Sequence, residues 1–280
     1  MNDDGQWILL FTCADRTGIV AAVTGEVAAA DGFILDSQQY ADLESGRFFM
    51  RLRFAVAGDP RGWLTPVAER FGFDWTLTPA AQRPRVLIAC STTSHCLNDL
   101  LHRWSMGALP IDPVAVVSNH EVLRGLAEWH CVPFHHLPVD AASRARQEAD
   151  FLSLVERSGA ELVVLARYMQ VLTPRLVAAL EGRCVNIHHS FLPSFKGARP
   201  YHQAHARGVK LIGATAHFVT TDLDEGPIIE QAAERVDHRA TANDLVAIGR
   251  DIEAQVLARA VGWIAERRVL LNGQRTVVFR

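Results

Sequence analysis

The sequence predicts an α/β protein in two parts, a small βαββαβ unit followed by a larger, mostly parallel sheet wound with helices on both faces. Three observations lead there. The 280 residues exceed the ~100–200 of one ordinary domain. Short apolar runs alternate with stretches of helical periodicity along nearly the whole chain. A small, polar, proline-bracketed stretch, Pro79-Ala80-Ala81-Gln82-Arg83-Pro84, interrupts that pattern as a linker would. The expected domains are therefore 1–82, linker included, and 83–280.

In the first part, Trp7-Ile8-Leu9-Leu10-Phe11 is a short apolar strand, and Asp15-Arg16-Thr17-Gly18 turns it into a helix. Ile19, Val20, Val23, Val27 and Ala30 recur at helical spacing until Asp31-Gly32 ends the pattern. Phe33-Ile34-Leu35 begins a second strand, Phe48 to Val56 a third, and Pro60 to Phe71 a second helix. This order, with D-R-T-G before a helix that ends in D-G, resembles the ACT domain, a ferredoxin-like amino-acid-sensing module, over about residues 6–80. The resemblance implies a small amino-acid effector, methionine or glycine, with Asp15, Gly18 and Gly32 as its contacts. It also implies a homo-oligomer, dimer or tetramer.

In the second part, Arg85 to Cys90 is a continuous apolar strand, Cys96 to Trp104 a helix and Pro113 to Ser118 the next strand. Val122 to Cys131 fits a short helix, Phe134 to Pro138 an extended piece, Ala142 to Ser158 a helix and Leu162 to Ala166 a buried strand. In such a sheet ligands bind beyond the carboxyl ends of the strands. Thr215 to Thr220 reads as a strand, Thr241 to Arg267 as one long helix, and Val269-Leu270-Leu271 with Thr276 to Phe279 as a hairpin across Asn272-Gly273.

Composition excludes several classes. Apolar residues at 49% and charged residues at 21% are ordinary globular usage. A net charge of −3, from 28 basic and 31 acidic side chains, offers no basic field to nucleic acid or an anionic membrane. Cys13, Cys90, Cys96, Cys131 and Cys184 are odd in number, with no C-x-x-C, which points to reduced thiols and a cytoplasmic protein. The acidic N-terminus has no signal-peptide pattern, and no apolar run reaches ~18 residues.

The chemistry concentrates between Val185 and Pro227. In Val185-Asn186-Ile187-His188-His189-Ser190-Phe191-Leu192-Pro193, alternation puts Asn186 and His188 on one side of an extended chain. His217-Phe218-Val219-Thr220-Thr221-Asp222-Leu223-Asp224-Glu225-Gly226-Pro227 then brings acids on a loop after a strand, so Asp224 is expected to face that pair. An amide donor, an imidazole and a carboxylate supply oxyanion stabilisation, a proton source and a base, which suffices for acyl transfer without a covalent nucleophile. A metal hydrolase built on His188, His189, His202, His205 and Asp222 or Glu225 is the weaker reading. The chain has no H-E-x-x-H, and adjacent strand residues such as His188 and His189 should point to opposite faces.

Together V-N-I-H-x-S-x-L-P and H-F-V-x-x-x-L-D-x-G-P resemble the formyltransferase family that uses 10-formyltetrahydrofolate. That implies a Rossmann-like catalytic domain with Asn186 holding the formyl oxygen, His188 stabilising the oxyanion or donating a proton, and Asp224 positioning His188 and activating water. It also implies a pterin-binding loop from Leu165 to Pro174, with Met169, Val171 and Leu172 toward the ring. The loop from Val219 to Asp224, including Thr220 and Asp222, would close the other side, and His217 would support the site. No metal and no permanently bound cofactor are implied; 10-formyltetrahydrofolate is the substrate.

Members of that family that formylate glycinamide ribonucleotide carry a glycine-rich loop after the first strand, whereas Ser91 to Asn98 contains no glycine here. The S-x-x-x-H-C-L-N-D-L form from Ser91 to Leu100, with the ACT-like front domain, is similar to the branch that hydrolyses 10-formyltetrahydrofolate to formate and tetrahydrofolate, supplying formate for purine synthesis. Thr92 departs from that branch, which usually has lysine there. Lys196 to Tyr201 is a basic loop that would reach the folate glutamate tail or simply be solvated. A transferase with an amine acceptor and a non-catalytic folate or amino-acid sensor are the alternatives.

Overall fold

The computed structural model describes residues 5–140, 142–190 and 200–280. The chain divides into two compact units. One is Met1–Gln82 with Trp263–Asn272 and Thr276–Arg280; the other is Arg83–Gly262 with Gly273–Arg275.

The first unit runs β1 (Gln6–Ala14), α1 (Ile19–Ala29), β2 (Phe33–Asp42), β3 (Arg47–Ala55), α2 (Arg61–Phe71) and β4 (Asp74–Pro79), the order expected from the sequence. The strands form an antiparallel sheet, β2-β3-β1-β4. One sheet face buries Leu9, Phe11, Met50, Leu52 and Phe54 with Ile19, Val23 and Val27 of α1 and Leu64, Val67 and Phe71 of α2. Covering one face with helices is the stable solution for such a sheet. Alternation turns Phe49 to the other face, where it packs on Leu270 and Phe279. These C-terminal residues, assigned to the second domain by the sequence pattern, thus bury their apolar surface in the first unit.

The second unit follows with β5 (Arg85–Cys90), α3 (His95–Ser105), β6 (Asp112–Ser118), α4 (Arg124–Trp129), β7 (Phe134–His136), α5 (Arg144–Ser158), β8 (Leu162–Leu165), α6 (Pro174–Ala179), β9 (Cys184–His188), α7 (Pro200–Ala206), β10 (Leu211–Phe218), β11 (Ile228–Arg235) and α8 (Ala242–Ala265). β12 (Val269–Asn272) and β13 (Arg275–Val278) are the hairpin that ends the chain. The sheet order is β11-β10-β9-β8-β5-β6-β7. Strands β5 to β9 pair in parallel, whereas β10 runs antiparallel to both β9 and β11.

Consecutive residues from Val86 to Cys90 are all buried, which requires apolar cover on both sheet faces. Phe151, Leu154 and Val155 of α5 supply part of it against Leu87, Ala89, Val163 and Leu165. From β5 the chain builds outward through β6 to β7, then returns to lay β8 on the other flank of β5. That reversal opens a crevice beyond the carboxyl ends of β5 and β8. Among the described residues, no helix is long and apolar enough to cross a membrane.

Candidate active site

A cleft of about 230 Å³ lies in that crevice. One wall is the loop after β8, with Tyr168, Met169, Val171 and Leu172; the other is the loop after β10, with Thr220, Asp222, Leu223 and Asp224. Asn186, His188 and His217 form the floor. Met169, Val171 and Leu223 are large apolar residues left more than half exposed, and they leave a slot suited to a flat ring.

The floor follows from strand register. β9 and β10 pair so that Asn186 lies opposite His217 and His188 opposite Thr215. Asn186 and His188 share a face by alternation. His217 Nδ1 donates to the Phe218 carbonyl at 2.8 Å, so its Nε2 carries a lone pair, and Asn186 Nδ2 reaches it at 3.4 Å. Burial keeps His217 below the ordinary imidazole pKa against the opposing pull of Asp224, in accord with a neutral ring. The effect is to fix the Asn186 amide, with its oxygen and second N–H free of this contact.

Asp224 Oδ2 stands 3.2 Å from His188 Nδ1, and the Ser190 hydroxyl lies 3.1 Å from His188 Nε2. Burial works to raise the Asp224 carboxyl, but the His188 hydrogen bond and the nearby imidazoles outweigh it and hold the group below the usual carboxylate value. Asp224 occupies the left-handed region at φ 59. Gly226 lets the loop turn back tightly enough to bring it there: a Cβ on Gly226 would lie 1.8 Å from the Phe218 carbonyl oxygen.

The opposite wall is pinned by residues whose role the sequence pattern did not reveal. Ser91, buried at the end of β5, donates to Asn119 Oδ1 at 2.7 Å and accepts from the Met169 N–H at 3.0 Å. Its hydroxyl is therefore engaged in holding the loop after β8. Gln147 donates to the buried Tyr168 hydroxyl at 2.7 Å. Thr173 caps α6 and donates through its N–H and its hydroxyl to Glu148.

The structure thus brings together Asn186, His188, Asp224, Met169, Val171, Leu172, Thr220 and Asp222 around one cleft. Asp15, Gly18 and Gly32 belong to the first unit. The Asp15 N–H donates to Gly46 at 2.8 Å, Gly18 precedes α1 at φ 96, and a Cβ on Gly32 would press within 2.8 Å of Val27 Cγ1. One expectation needs correction. β9 ends at His188, and without strand alternation beyond it the His188 and His189 rings come together, centroids 4.8 Å apart. Lys196 to Arg199 and Phe191 to Pro193 lie outside the described residues.

A parallel sheet with a crevice at its reversal, floored by an amide, an imidazole and a carboxylate, defines an acyl-transfer enzyme acting on a ring-bearing substrate. The Formyl transferase family model matches residues 84–261. Over the full length of both chains, the protein is 49% identical to formyltetrahydrofolate deformylase of a Corynebacterium species. The crystal structure of formyltetrahydrofolate deformylase from Burkholderia mallei superimposes with a TM-score of 0.95 at 54% identity, covering 99% of this chain and 100% of that one. Glycinamide ribonucleotide transformylase 1 from Symbiobacterium toebii matches at a TM-score of 0.66 and 31% identity, covering 71% of this chain and 95% of its own. The chain belongs to the formyltetrahydrofolate deformylases, a branch of the formyl transferase family.

Proposed function

We propose that the cleft hydrolyses 10-formyltetrahydrofolate to formate and tetrahydrofolate, with Asn186, His188 and Asp224 as its catalytic residues. The pterin slides between Met169, Val171 and Leu172 on one wall and Thr220 and Asp222 on the other. The formyl carbonyl then rests against the Asn186 amide and His188. Asp224, directly or through His188, takes a proton from water as its oxygen attacks the formyl carbon. The N–H groups of Asn186 and protonated His188 stabilise the tetrahedral oxyanion, and the proton passes to the departing folate nitrogen.

The observation that carries this reading is the 3.2 Å contact between His188 and Asp224, made beside an Asn186 amide that His217 holds in one orientation. Its test is formate release from 10-formyltetrahydrofolate without any acceptor, repeated with glycinamide ribonucleotide. Release that requires the amine, with formyl recovered on it, would make the protein a transferase.

The βαββαβ unit supports a regulatory part of the same proposal. Methionine or glycine binds at Asp15, Gly18 and Gly32, and the protein assembles as a homo-oligomer through this unit. Formate release measured with each amino acid, and mass by light scattering with and without it, test both points. An unchanged rate and a monomeric mass would refute them.

A further inference from the structure

Behind His188 lies a buried charged network that the hydrolytic steps above do not use. Arg167 follows β8 and aims a guanidinium nitrogen at His189 Nδ1, 2.8 Å away. Its Nε is 3.3 Å from Glu253 Oε2. Glu253, only 1% exposed on α8, also lies 2.8 Å from His95 Nε2 and accepts from the Tyr201 hydroxyl at 2.7 Å. Gly249, one helical turn earlier, makes room for that tyrosine: a Cβ there would fall 2.1 Å from its ring. His95, Cys96 and Glu253 also gather ligand-type atoms within 4.8 Å. The adjacent guanidinium opposes a cation there, and burial keeps the Cys96 thiol protonated.

A guanidinium has donors and no acceptor. His189 Nδ1 must therefore offer its lone pair to Arg167, which leaves the ring proton on Nε2. A second ring proton would have to displace that hydrogen bond and sit against a permanent cation. The groups facing His189 are Arg167 from the loop after β8, His188 and Asp224 in the site, Glu253 from α8 and Tyr201 from α7, its ring centroid 6.3 Å away. Burial, Arg167 and His188 push His189 down to about 4, against Glu253 and Asp224.

We propose that Arg167, anchored by Glu253, is a positioning residue that locks His189 neutral, so that His188 is the member of the adjacent pair that carries the proton during hydrolysis. This rests on the assignment of proton transfer to His188. With ring centroids 4.8 Å apart, two imidazolium ions repel each other. A charged His189 would therefore disfavour the protonated His188 that the oxyanion needs, whereas a neutral one leaves that proton to the Asp224 side. Environments that drive two titratable neighbours apart assign their roles.

The test is a pH titration of the full-length protein labelled at histidine nitrogens, read by NMR beside the pH profile of formate release. In the wild type, His189 should stay neutral, with the acceptor signature at Nδ1, until the pH nears about 4. In Arg167→Met, which removes the cation but leaves the burial, its midpoint should rise above the wild-type value while staying below that of a free imidazole. The ratio of kcat/KM at about pH 6 to that at about pH 8 should then fall below the wild-type ratio, by up to ~10-fold. Arg167→Lys, a cationic donor, should restore both. If Arg167→Met does not fold, the neutral Arg167→Gln reads the same titration. A His189 midpoint in the folded variant no higher than in the wild type, or a wild-type His189 already protonated at about pH 5, overturns the proposal. Failure of the underlying site assignment looks different: His188→Asn would keep releasing formate whatever His189 does.

Discussion

Replacing Asp224 with asparagine removes a charge and little else. At φ 59 the residue sits where asparagine is among the best tolerated non-glycine residues, so Asp224→Asn should keep the loop in place while alanine would strain it. The carboxylate lies 3.2 Å from His188 Nδ1. At an effective dielectric of about 20, a unit-charge pair at that separation gains roughly 5 kcal/mol. Asp224 is half-buried, and solvent screening reduces the usable part to about 4 kcal/mol, ~10³-fold in rate. Formate release under saturating 10-formyltetrahydrofolate should drop by that factor, while tetrahydrofolate binding, measured by calorimetry, should change less than ~3-fold. A variant within ~10-fold of wild-type turnover would show that Asp224 neither removes the proton nor holds His188. Equal loss of binding and turnover would show that the residue shapes the pocket instead.

Gly226→Ala should cut formate release by ~10²-fold or more, since a Cβ 1.8 Å from the Phe218 carbonyl must displace the loop that carries Asp224. Gly125→Ala, in α4 with nothing within 4 Å, is the control and should gain up to ~1 kcal/mol in denaturant unfolding. Ser91→Ala strips the Met169 N–H of its 3.0 Å acceptor and should cost about 1–3 kcal/mol of loop order, seen as a raised KM with kcat nearly kept; an unchanged KM would disprove the bridging role. His189 carries a folded-state pKa of about 4, below its unfolded value of ~6.5, so the unfolded chain binds the extra proton between those limits. Its contribution is complete above ~6.5, falls as pH drops toward 4 and amounts to about 3 kcal/mol. Urea unfolding across that window should show a shallower acid loss for His189→Asn, which still offers Arg167 an acceptor; an identical slope would remove His189 from the account.

The parts of the site that strand alternation and loop chemistry control were legible in the sequence. Asn186 and His188 share a face because they are two apart on a strand, and Asp224 precedes a glycine that permits the return of its loop. Alternation stops where the strand stops, and for that reason His189 was misplaced: nothing in the run of residues marks His188 as the last paired one. β11 went unassigned because Ile228-Ile229 leads into Glu230-Gln231-Ala232-Ala233-Glu234-Arg235, an edge strand whose later residues are largely polar or exposed. Glu253 did leave a signal. It occupies the apolar stripe of α8 with Leu245, Ile252, Val256, Leu257 and Ala260, all buried, and a carboxylate in such a stripe calls for a buried partner. What the helix period could not supply was the partner, because Arg167 and Tyr201 come from distant parts of the chain.

The two charges that discriminate between His188 and His189 both stand on strained backbone. Arg167 at φ 63 and Asp224 at φ 59 are non-glycine residues in the left-handed region, each at a cost of order 1–3 kcal/mol. Glycine would relieve the strain at either place, but it carries no charge. A residue leaving a strand in extended conformation continues the alternation and projects its side chain along the sheet normal. A left-handed residue bends the chain back and can redirect that side chain toward the strand's end. Arg167 follows β8 and Asp224 lies in the loop after β10, on either side of β9, so the two turns place a cation against His189 and an anion against His188. The strain is therefore a consequence of delivering opposite charges to neighbouring imidazoles from flanking strands, and the ion pair of Arg167 with Glu253 and the close turn at Gly226 hold it in place.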